Sequence, residues 1–324
     1  MEKPLHVFAS RRLPGGALDL IKGGITVDVW PEPGPPDKAV IMEGIAGADG
    51  LVCVWTDEID DALMAAGPGL KVISQMAVGV DNIDLAAATR RGIPVGNTPG
   101  VLVDTTAEVA WTLILATAHR ITEAERYLRD GRWTRETTSL ELLLGRDVYG
   151  STLGIVGMGP IGQAVAARAQ GFDMRILYSS RGRKEVAGAE QVDLDYLLRE
   201  SDVVTIHTAL TEETKGMIGS RELSLMKPTA YLINTARGPV VDEAALIEAL
   251  SSGQIAGAGI DVFETEPLPM DSPLLQLQNV VLVPHIGSAT VTTRSKMATL
   301  CVENLMAGLR GERLPNCANP EVYE

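Results

Sequence analysis

Residues 157–162 have the sequence GMGPIG, in which three glycines follow the G-x-G-x-x-G spacing that suits a pyrophosphate. A phosphate needs backbone N–H groups at close range and the positive end of a helix dipole. The apolar run 153–156 before the motif predicts a buried strand, and Pro160 with the alanine-rich segment after it predicts a helix. Because strand, loop and helix follow in this order, the segment predicts a dinucleotide-binding turn rather than a purely structural one.

The end of the next predicted strand, 174–178, indicates which dinucleotide binds. An acidic side chain at this position binds the ribose 2′-hydroxyl of NAD. The sequence here is Ser179-Ser180-Arg181, with no Asp or Glu, and a guanidinium suits a 2′-phosphate. We therefore expect NADPH as the preferred cofactor, with NADH as the alternative. The competing interpretation is a basic surface loop with no cofactor role.

Hydride transfer to a carbonyl needs a proton donor, and the chain has four histidines. His285 follows the predicted strand 280–283, and open α/β sheets bind ligands at the carboxyl ends of their strands. Such a histidine can donate a proton near neutral pH. His6 and His119 fall within a predicted strand and a predicted helix, where a structural role is expected. His207 closes another predicted strand, and we expect it to line the cofactor.

A cation and a carboxylate would complete this chemistry. Arg237 follows the predicted strand 230–233 and can grip a carboxylate or polarise a carbonyl. Glu264 and Glu266 both follow the predicted strand 256–260, and either could bond the second ring nitrogen of His285 and hold it oriented. The spacing does not decide between the two glutamates. A structural ion pair of Arg237 is an equal alternative from spacing alone.

Alternating short apolar runs and helix-like segments must position these residues, and this pattern predicts parallel sheets with helices on both faces. The predicted strands are 5–9, 26–30, 50–54, 71–74, 93–95, 153–156, 174–178, 203–206, 230–233, 256–260 and 280–283. The main predicted helices are 17–21, 38–45, 60–65, 85–90, 104–129, 242–250 and 290–309. We expect an α/β protein of two Rossmann-like, doubly wound parallel-sheet domains. Residues 99–290 form the dinucleotide domain, inserted in a substrate domain made of 1–98 and 291–324.

The composition limits the function classes. The net charge of −14, from 28 basic and 42 acidic residues, argues against a nucleic-acid-binding or anionic-membrane surface. The three cysteines lack metal-ligand spacing, so no metal site is expected. The N-terminus lacks the apolar region of a signal peptide, and no other run is long enough to span a bilayer. A cytoplasmic location is the resulting expectation.

Five motifs occur in the order found in a known family: 79–84 (GVDNID), 157–162 (GMGPIG), 234–238 (NTARG), 261–267 (DVFETEP) and 284–290 (PHIGSAT). Through them the chain resembles the D-isomer-specific 2-hydroxyacid dehydrogenases, and within them the glyoxylate/hydroxypyruvate reductases. The resemblance implies that Arg237 binds the 2-oxoacid, that Glu266 pairs with His285, and that His285 is the acid/base. It also implies a flavodoxin-like substrate domain.

The same resemblance assigns the remaining contacts. Backbone amides at Val78 and Gly79, with Arg237 and Ser288, would bind the substrate, and Asp261 would face the nicotinamide. The full set expected at the cofactor is Thr106, Gly157, Met158, Gly159, Pro160, Ile161, Gly162, Ser179, Ser180, Arg181, His207, Thr235, Ala236, Asp261, His285 and Gly287. A homodimer built on the dinucleotide domain is implied, with the helix near Thr106 reaching the partner.

The predicted function is reduction of glyoxylate and hydroxypyruvate to glycolate and D-glycerate. A 2-ketogluconate reductase or a phosphoglycerate dehydrogenase is the alternative within the enzyme class. Outside that class, a dinucleotide-sensing corepressor-type protein would use the same fold without turnover, because a fold alone does not determine function.

Overall fold

The computed structural model describes residues 4–324 and divides into two compact units. The first unit runs up to Leu102 and resumes at Ala289, and the second unit is Val103–Ser288. The chain therefore leaves the first unit once and returns to it once, so that the second unit is an insertion. Residues 1–3, which belong to the start where no signal peptide is predicted, lie outside the described residues.

All twelve strands that the structure describes pair in parallel with their neighbours, as expected for an α/β protein. The strands are β1 (His6–Ala9), β2 (Thr26–Val29), β3 (Gly50–Cys53), β4 (Val72–Gln75), β5 (Val95–Gly96), β6 (Thr152–Val156), β7 (Arg175–Ser179), β8 (Ala189–Gln191), β9 (Val203–Ile206), β10 (Tyr231–Asn234), β11 (Gly257–Ile260) and β12 (Val280–Leu282). The helices are α1 (Lys38–Ile45), α2 (Asp61–Ala66), α3 (Leu85–Arg90), α4 (Val103–Ala118), α5 (Ile121–Arg129), α6 (Pro160–Ala169), α7 (Leu194–Glu200), α8 (Ser220–Leu225), α9 (Glu243–Ser251) and α10 (Val291–Leu309).

The first unit contains a five-stranded sheet in the order β2-β1-β3-β4-β5. Its central strands β3 and β4 are buried at every residue, because helices cover both faces of a parallel sheet. The C-terminal tail packs onto this unit as predicted: the N–H of Ala318 donates to the Val95 carbonyl at 2.8 Å, and the Val95 N–H donates to Oδ1 of Asn319 at 2.8 Å.

The second unit contains a seven-stranded sheet in the order β12-β11-β10-β9-β6-β7-β8. From β6 the chain moves outward to β7 and β8, then returns to the other side of β6 to form β9. The strand order therefore reverses between β6 and β9. Ligands of open α/β sheets bind outside the carboxyl ends of the strands at such a point. The G-x-G-x-x-G loop follows β6, at the edge of this crevice.

The prediction of one long helix over 104–129 is wrong. The structure has two helices, α4 and α5, separated by Arg120 with a φ of 54°. A left-handed backbone conformation cannot continue a right-handed helix. An arginine in the sequence does not predict such a conformation. The predicted helix at 17–21 is a 3₁₀ segment at Pro14–Leu20, interrupted by two glycines with positive φ.

Within residues 4–324, no helix is both long and apolar enough to cross a membrane. The same residues hold no cluster of His, Cys, Asp and Glu side chains that could bind a metal ion.

Candidate active site

The predicted catalytic residues lie on three loops at the carboxyl edge of the second unit's sheet. Arg237 follows β10, Glu266 lies in the loop after β11, and His285 comes after β12. These three strands are neighbours, with register pairs that run through Asn234–Ile260 and Ile260–Leu282. The parallel register brings residues far apart in sequence to one edge of the sheet.

The structure brings His285 and Glu266 together. The Nδ1 atom of His285 lies 2.6 Å from Oε2 of Glu266, and both side chains are half-buried. The other carboxylate oxygen of Glu266 accepts the N–H of Phe263 at 3.1 Å, which holds the carboxylate in place. Because the carboxylate lies at Nδ1, any proton transfer from His285 to a substrate would use Nε2. Glu264, the alternative partner, is exposed, and its N–H donates to Glu243 at 3.1 Å.

Asp261 holds the backbone of the loop that carries His285. Its Oδ1 accepts the N–H of Ile286 at 2.6 Å and its Oδ2 accepts the N–H of Gly287 at 2.9 Å, while its carbonyl accepts the N–H of His285 at 2.9 Å. Thr106 completes the anchor by donating its hydroxyl to the Gly287 carbonyl at 3.0 Å. The predictions that Asp261 faces the nicotinamide and that Thr106 contacts the cofactor stay predictions; the structure shows both residues bonded to the loop that carries His285.

This anchoring matters because His285 has a φ of 51°, a left-handed conformation that is uncommon for a residue other than glycine. Such a conformation persists only where the surroundings over-determine it. Burial raises the pKa of Asp261 to about 6, against the opposing effect of the Ile286 N–H. The carboxylate is therefore the dominant form at neutral pH, when it can accept both N–H groups.

Arg237 sits in a loop that packs closely against the loop of Glu266. Asn234 shapes this loop, since its Oδ1 accepts the Ala236 N–H at 3.0 Å and its Nδ2 donates to the Arg237 carbonyl at 2.9 Å. A Cβ atom on Gly238 would lie 1.9 Å from the carbonyl carbon of Phe263, so only glycine allows this approach. The half-buried Arg237 can bind a carboxylate or stabilise an oxyanion there.

The glycine loop after β6 fits a pyrophosphate. Gly157 has a φ of 98°, and a Cβ there would lie 2.7 Å from the carbonyl carbon of His207; a Cβ on Gly162 would lie 2.2 Å from the Gly157 carbonyl oxygen. A Cβ on Gly159 would meet no atom within 4 Å, which leaves space above the start of α6. These are the three roles expected of the motif: Gly157 allows the tight turn, Gly159 lets the phosphates approach, and Gly162 lets the helix pack closely on the strand.

Two buried polar atoms at this edge of the sheet lack partners within the described part of the chain: Nδ1 of His207 and Oγ1 of Thr235. His207 closes β9, and its Nε2 lies 2.9 Å from the Thr205 hydroxyl. Burial lowers the pKa of His207 to about 3, so the imidazole is neutral and can accept or donate a hydrogen bond. Unmet hydrogen-bonding groups and an open glycine cradle at one sheet edge suit a polar dinucleotide.

The remaining predicted contacts differ in what they can offer. Met158 buries its side chain in the core, which leaves its backbone for a ligand. Ser179 ends β7 and Ser180 follows it, and both are half-buried. Ser180 donates its hydroxyl to the Gly182 carbonyl at 2.7 Å, and Arg181 is exposed. Ser288, at the end of the second unit, is half-buried. Val78 and Gly79 belong to the first unit, in a half-buried loop after β4.

Residues 111–287 match the model of the D-isomer specific 2-hydroxyacid dehydrogenase family, NAD binding domain. A glyoxylate reductase of Korarchaeum cryptofilum is 52% identical over 323 residues, covering 98% of this chain and 97% of the relative. The chain belongs to the D-isomer specific 2-hydroxyacid dehydrogenase family. Dehydrogenases of this family transfer a hydride between a nicotinamide dinucleotide and a pair of 2-hydroxyacid and 2-oxoacid, and this chain is accordingly an oxidoreductase of 2-oxoacids.

Solved structures of the family have the same fold. The TT0316 protein of Thermus thermophilus superposes with a TM-score of 0.92 at 48% identity, covering 97% of this chain and all of that one. An NADPH-dependent glyoxylate/hydroxypyruvate reductase of Sinorhizobium meliloti, in complex with NADP and malonate, gives a TM-score of 0.85 at 32% identity, covering 98% of both chains. The predicted α/β fold and family are thereby confirmed.

Proposed function

We propose that this dehydrogenase is an NADPH-preferring reductase of glyoxylate and hydroxypyruvate, which forms glycolate and D-glycerate. The observation that carries the proposal is the 2.6 Å contact between Nδ1 of His285 and Oε2 of Glu266. The loop of Glu266 packs against the loop of Arg237. Full-length similarity to glyoxylate reductases supports the choice of small substrates.

The chain's own residues have distinct roles in this reaction. The bound nicotinamide supplies a hydride to the substrate carbonyl carbon. Arg237 binds the 2-oxoacid and stabilises the negative charge that develops on the carbonyl oxygen. His285 donates the proton on Nε2 to that oxygen and becomes neutral, and Glu266 holds the ring in orientation through Nδ1 while it does so.

Three features support a preference for NADPH. No acidic side chain follows β7, where a carboxylate would bind the ribose 2′-hydroxyl of NAD and repel a 2′-phosphate. Arg181 is exposed at that position and can form charge-assisted hydrogen bonds with a phosphate. The structural relative from Sinorhizobium meliloti is NADPH-dependent.

A homodimer is part of the proposal. The second unit exposes a run of large apolar side chains over α5 and the segment after it: Ile121, Leu128, Trp133, Leu140, Leu144 and Tyr149. Leu140 is fully exposed and Trp133 is 59% exposed, which is unusual for a surface that faces only water. Thr106 is buried, so we place the contact with a second copy further along the chain than the sequence suggested. Light scattering at micromolar concentration tests this, and a monomer would refute it.

The experiment that tests the function follows NADPH and NADH oxidation with glyoxylate, hydroxypyruvate, pyruvate, 2-ketogluconate and 3-phosphohydroxypyruvate. Higher kcat/KM for the first two with NADPH supports the proposal. A preference for 2-ketogluconate or the phosphorylated substrate would move the assignment to the corresponding reductase or dehydrogenase. Cofactor binding without turnover on any substrate would favour the corepressor-type alternative. The cytoplasmic location stays a prediction, which cell fractionation tests.

A further inference from the structure

Three consecutive backbone carbonyls in the loop after β4 each accept a hydrogen bond. The carbonyl of Ala77 accepts the N–H of Thr98 at 2.9 Å. The carbonyl of Val78 accepts Nδ2 of Asn97 at 2.8 Å, and the carbonyl of Gly79 accepts Nε2 of Gln75 at 2.6 Å. All three peptide planes are therefore fixed by donors from β4 and from the segment after β5.

Each fixed carbonyl also fixes the N–H of the next residue. In a trans peptide the N–H lies opposite the C=O, so these bonds set the directions of the N–H groups of Val78, Gly79 and Val80. Throughout residues 4–324, none of these three N–H groups has an acceptor. The three residues are half-buried, so a ligand can reach them. Successive N–H groups in a turn conformation can form an anion-binding concavity.

The two side-chain donors are themselves held rigidly. Gln75 is fully buried and exchanges two hydrogen bonds with the Asn82 amide, at 2.7 and 2.9 Å. Asn82 also donates to the carbonyl of Asp57 at 2.7 Å, which ties the loop after β3 to the loop after β4. The backbone of Asn97 is held in turn, because its carbonyl accepts Nδ2 of Asn304 at 2.8 Å.

We propose that Gln75 and Asn97 are positioning residues, which orient the N–H groups of Val80 and Gly79 to bind the carboxylate of the 2-oxoacid. Val80 thereby joins Val78 and Gly79 as a carboxylate contact. A donor on a peptide carbonyl also polarises the N–H of the same peptide, which strengthens its bond to an anion. This inference rests on the proposed function in one respect, namely that the loop at Val78 and Gly79 binds the substrate carboxylate.

The test compares Asn97→Ala, Asn97→Asp and Gln75→Ala with the wild-type protein. Loss of an oriented donor to a charged ligand raises the KM for glyoxylate about 10- to 100-fold, while kcat changes less than about 3-fold. The inhibition constant of oxalate, which probes carboxylate binding without turnover, rises by the same factor. The dissociation constant of NADPH stays unchanged. Asn97→Asp keeps the shape of the side chain, loses the donor and adds a negative charge, so it raises the KM at least as much as Asn97→Ala.

Asn279→Ala is the matched control, since Asn279 also donates to backbone carbonyls, of Leu250 at 3.1 Å and Ala256 at 3.4 Å, but lies in the second unit. It lowers the melting temperature without changing the KM. Equal changes in kcat and KM, or a KM that follows melting temperature across all four variants, would overturn the positioning role.

Val78→Pro separates this inference from the proposed carboxylate site, because it removes one N–H directly. If Val78→Pro raises the KM and the Gln75 and Asn97 variants do not, the positioning role is wrong and the carboxylate site stands. If none of these variants changes the KM for glyoxylate, the loop does not bind the carboxylate and both assignments fail.

Discussion

The Nδ1 atom of His285 lies 2.6 Å from Oε2 of Glu266, across 19 residues of sequence. The carboxylate is fixed at its other oxygen by the Phe263 N–H, and the imidazole is fixed through a backbone that Asp261 anchors at three points. A proton donor is effective only if its ring is held in one orientation with one nitrogen facing the substrate. Both partners of this pair are therefore positioned before any ligand arrives.

Glu266→Gln tests the pair. The amide keeps the size of the side chain but loses the negative charge that stabilises a protonated imidazole. We expect kcat for glyoxylate reduction to fall about 100-fold or more, by analogy with other imidazole–carboxylate pairs. The dissociation constant of NADPH should not change. Glu264→Gln is the control, because Glu264 is two residues away and exposed. A similar loss in both variants would mean that the loop, and not the pair, is required.

The pH dependence of kcat/KM should follow the protonation of Asp261. Burial raises the pKa of this carboxyl to about 6, so protonation below that pH removes an acceptor from the N–H groups of Ile286 and Gly287. We expect kcat/KM for reduction to fall as the pH drops through about 6. Asp261→Asn should have a lower rate at pH 7.5 and should lack this acid limb. An unchanged limb in the variant would assign it to another group.

Acid stability should depend on His207. Its folded pKa of about 3 lies below the unfolded value of about 6.5, so the unfolded chain binds one more proton between these pH values. The free energy of unfolding should therefore be highest above pH 6.5 and fall by about 1.4 kcal/mol per pH unit towards pH 3 from this group alone. Urea unfolding of His207→Gln should show a shallower fall. His119→Gln, an exposed control, should keep the wild-type slope; equal slopes in all three proteins would contradict the assignment.

Arg181→Ala tests the cofactor preference. If the guanidinium binds the 2′-phosphate, the KM for NADPH should rise about 10- to 100-fold and the KM for NADH should change less than about 3-fold. Arg183→Ala is the matched control, because Arg183 is exposed two residues further along the same loop. Equal losses for both cofactors would show that Arg181 does not select the phosphate.

Local patterns in the sequence predicted the parts of the molecule that local physics determines. Apolar runs and the glycine loop predicted α6 and the strands of the inserted domain other than β8, because burial and a tight turn constrain the residue type directly. The short strand β8 is mostly exposed and was not predicted. The break at Arg120 escaped prediction, since a left-handed arginine has no signature in the sequence. The choice between Glu264 and Glu266 was settled by resemblance, not by spacing.

The contacts that support the site were also beyond local patterns. Asp261 bonds N–H groups that lie 25 and 26 residues further along the chain, and Asn97 bonds a carbonyl 19 residues before it, in both cases through the parallel register of the sheets. The sequence did not predict that the carboxylate oxygens of Asp261 accept N–H groups of the loop that carries His285. The N–H groups of Ile286 and Gly287 are present in any sequence, so residue types alone do not predict that one carboxylate accepts both of them.

The most direct test of the proposed chemistry compares the rate of glyoxylate reduction by His285→Ala with that of the wild-type protein. NADPH binding is measured by fluorescence on the same samples. Removal of the general acid should lower kcat by about two to four orders of magnitude and leave the dissociation constant of NADPH unchanged. If His285→Ala turns over glyoxylate at the wild-type rate, His285 does not donate the proton and the proposed mechanism is wrong.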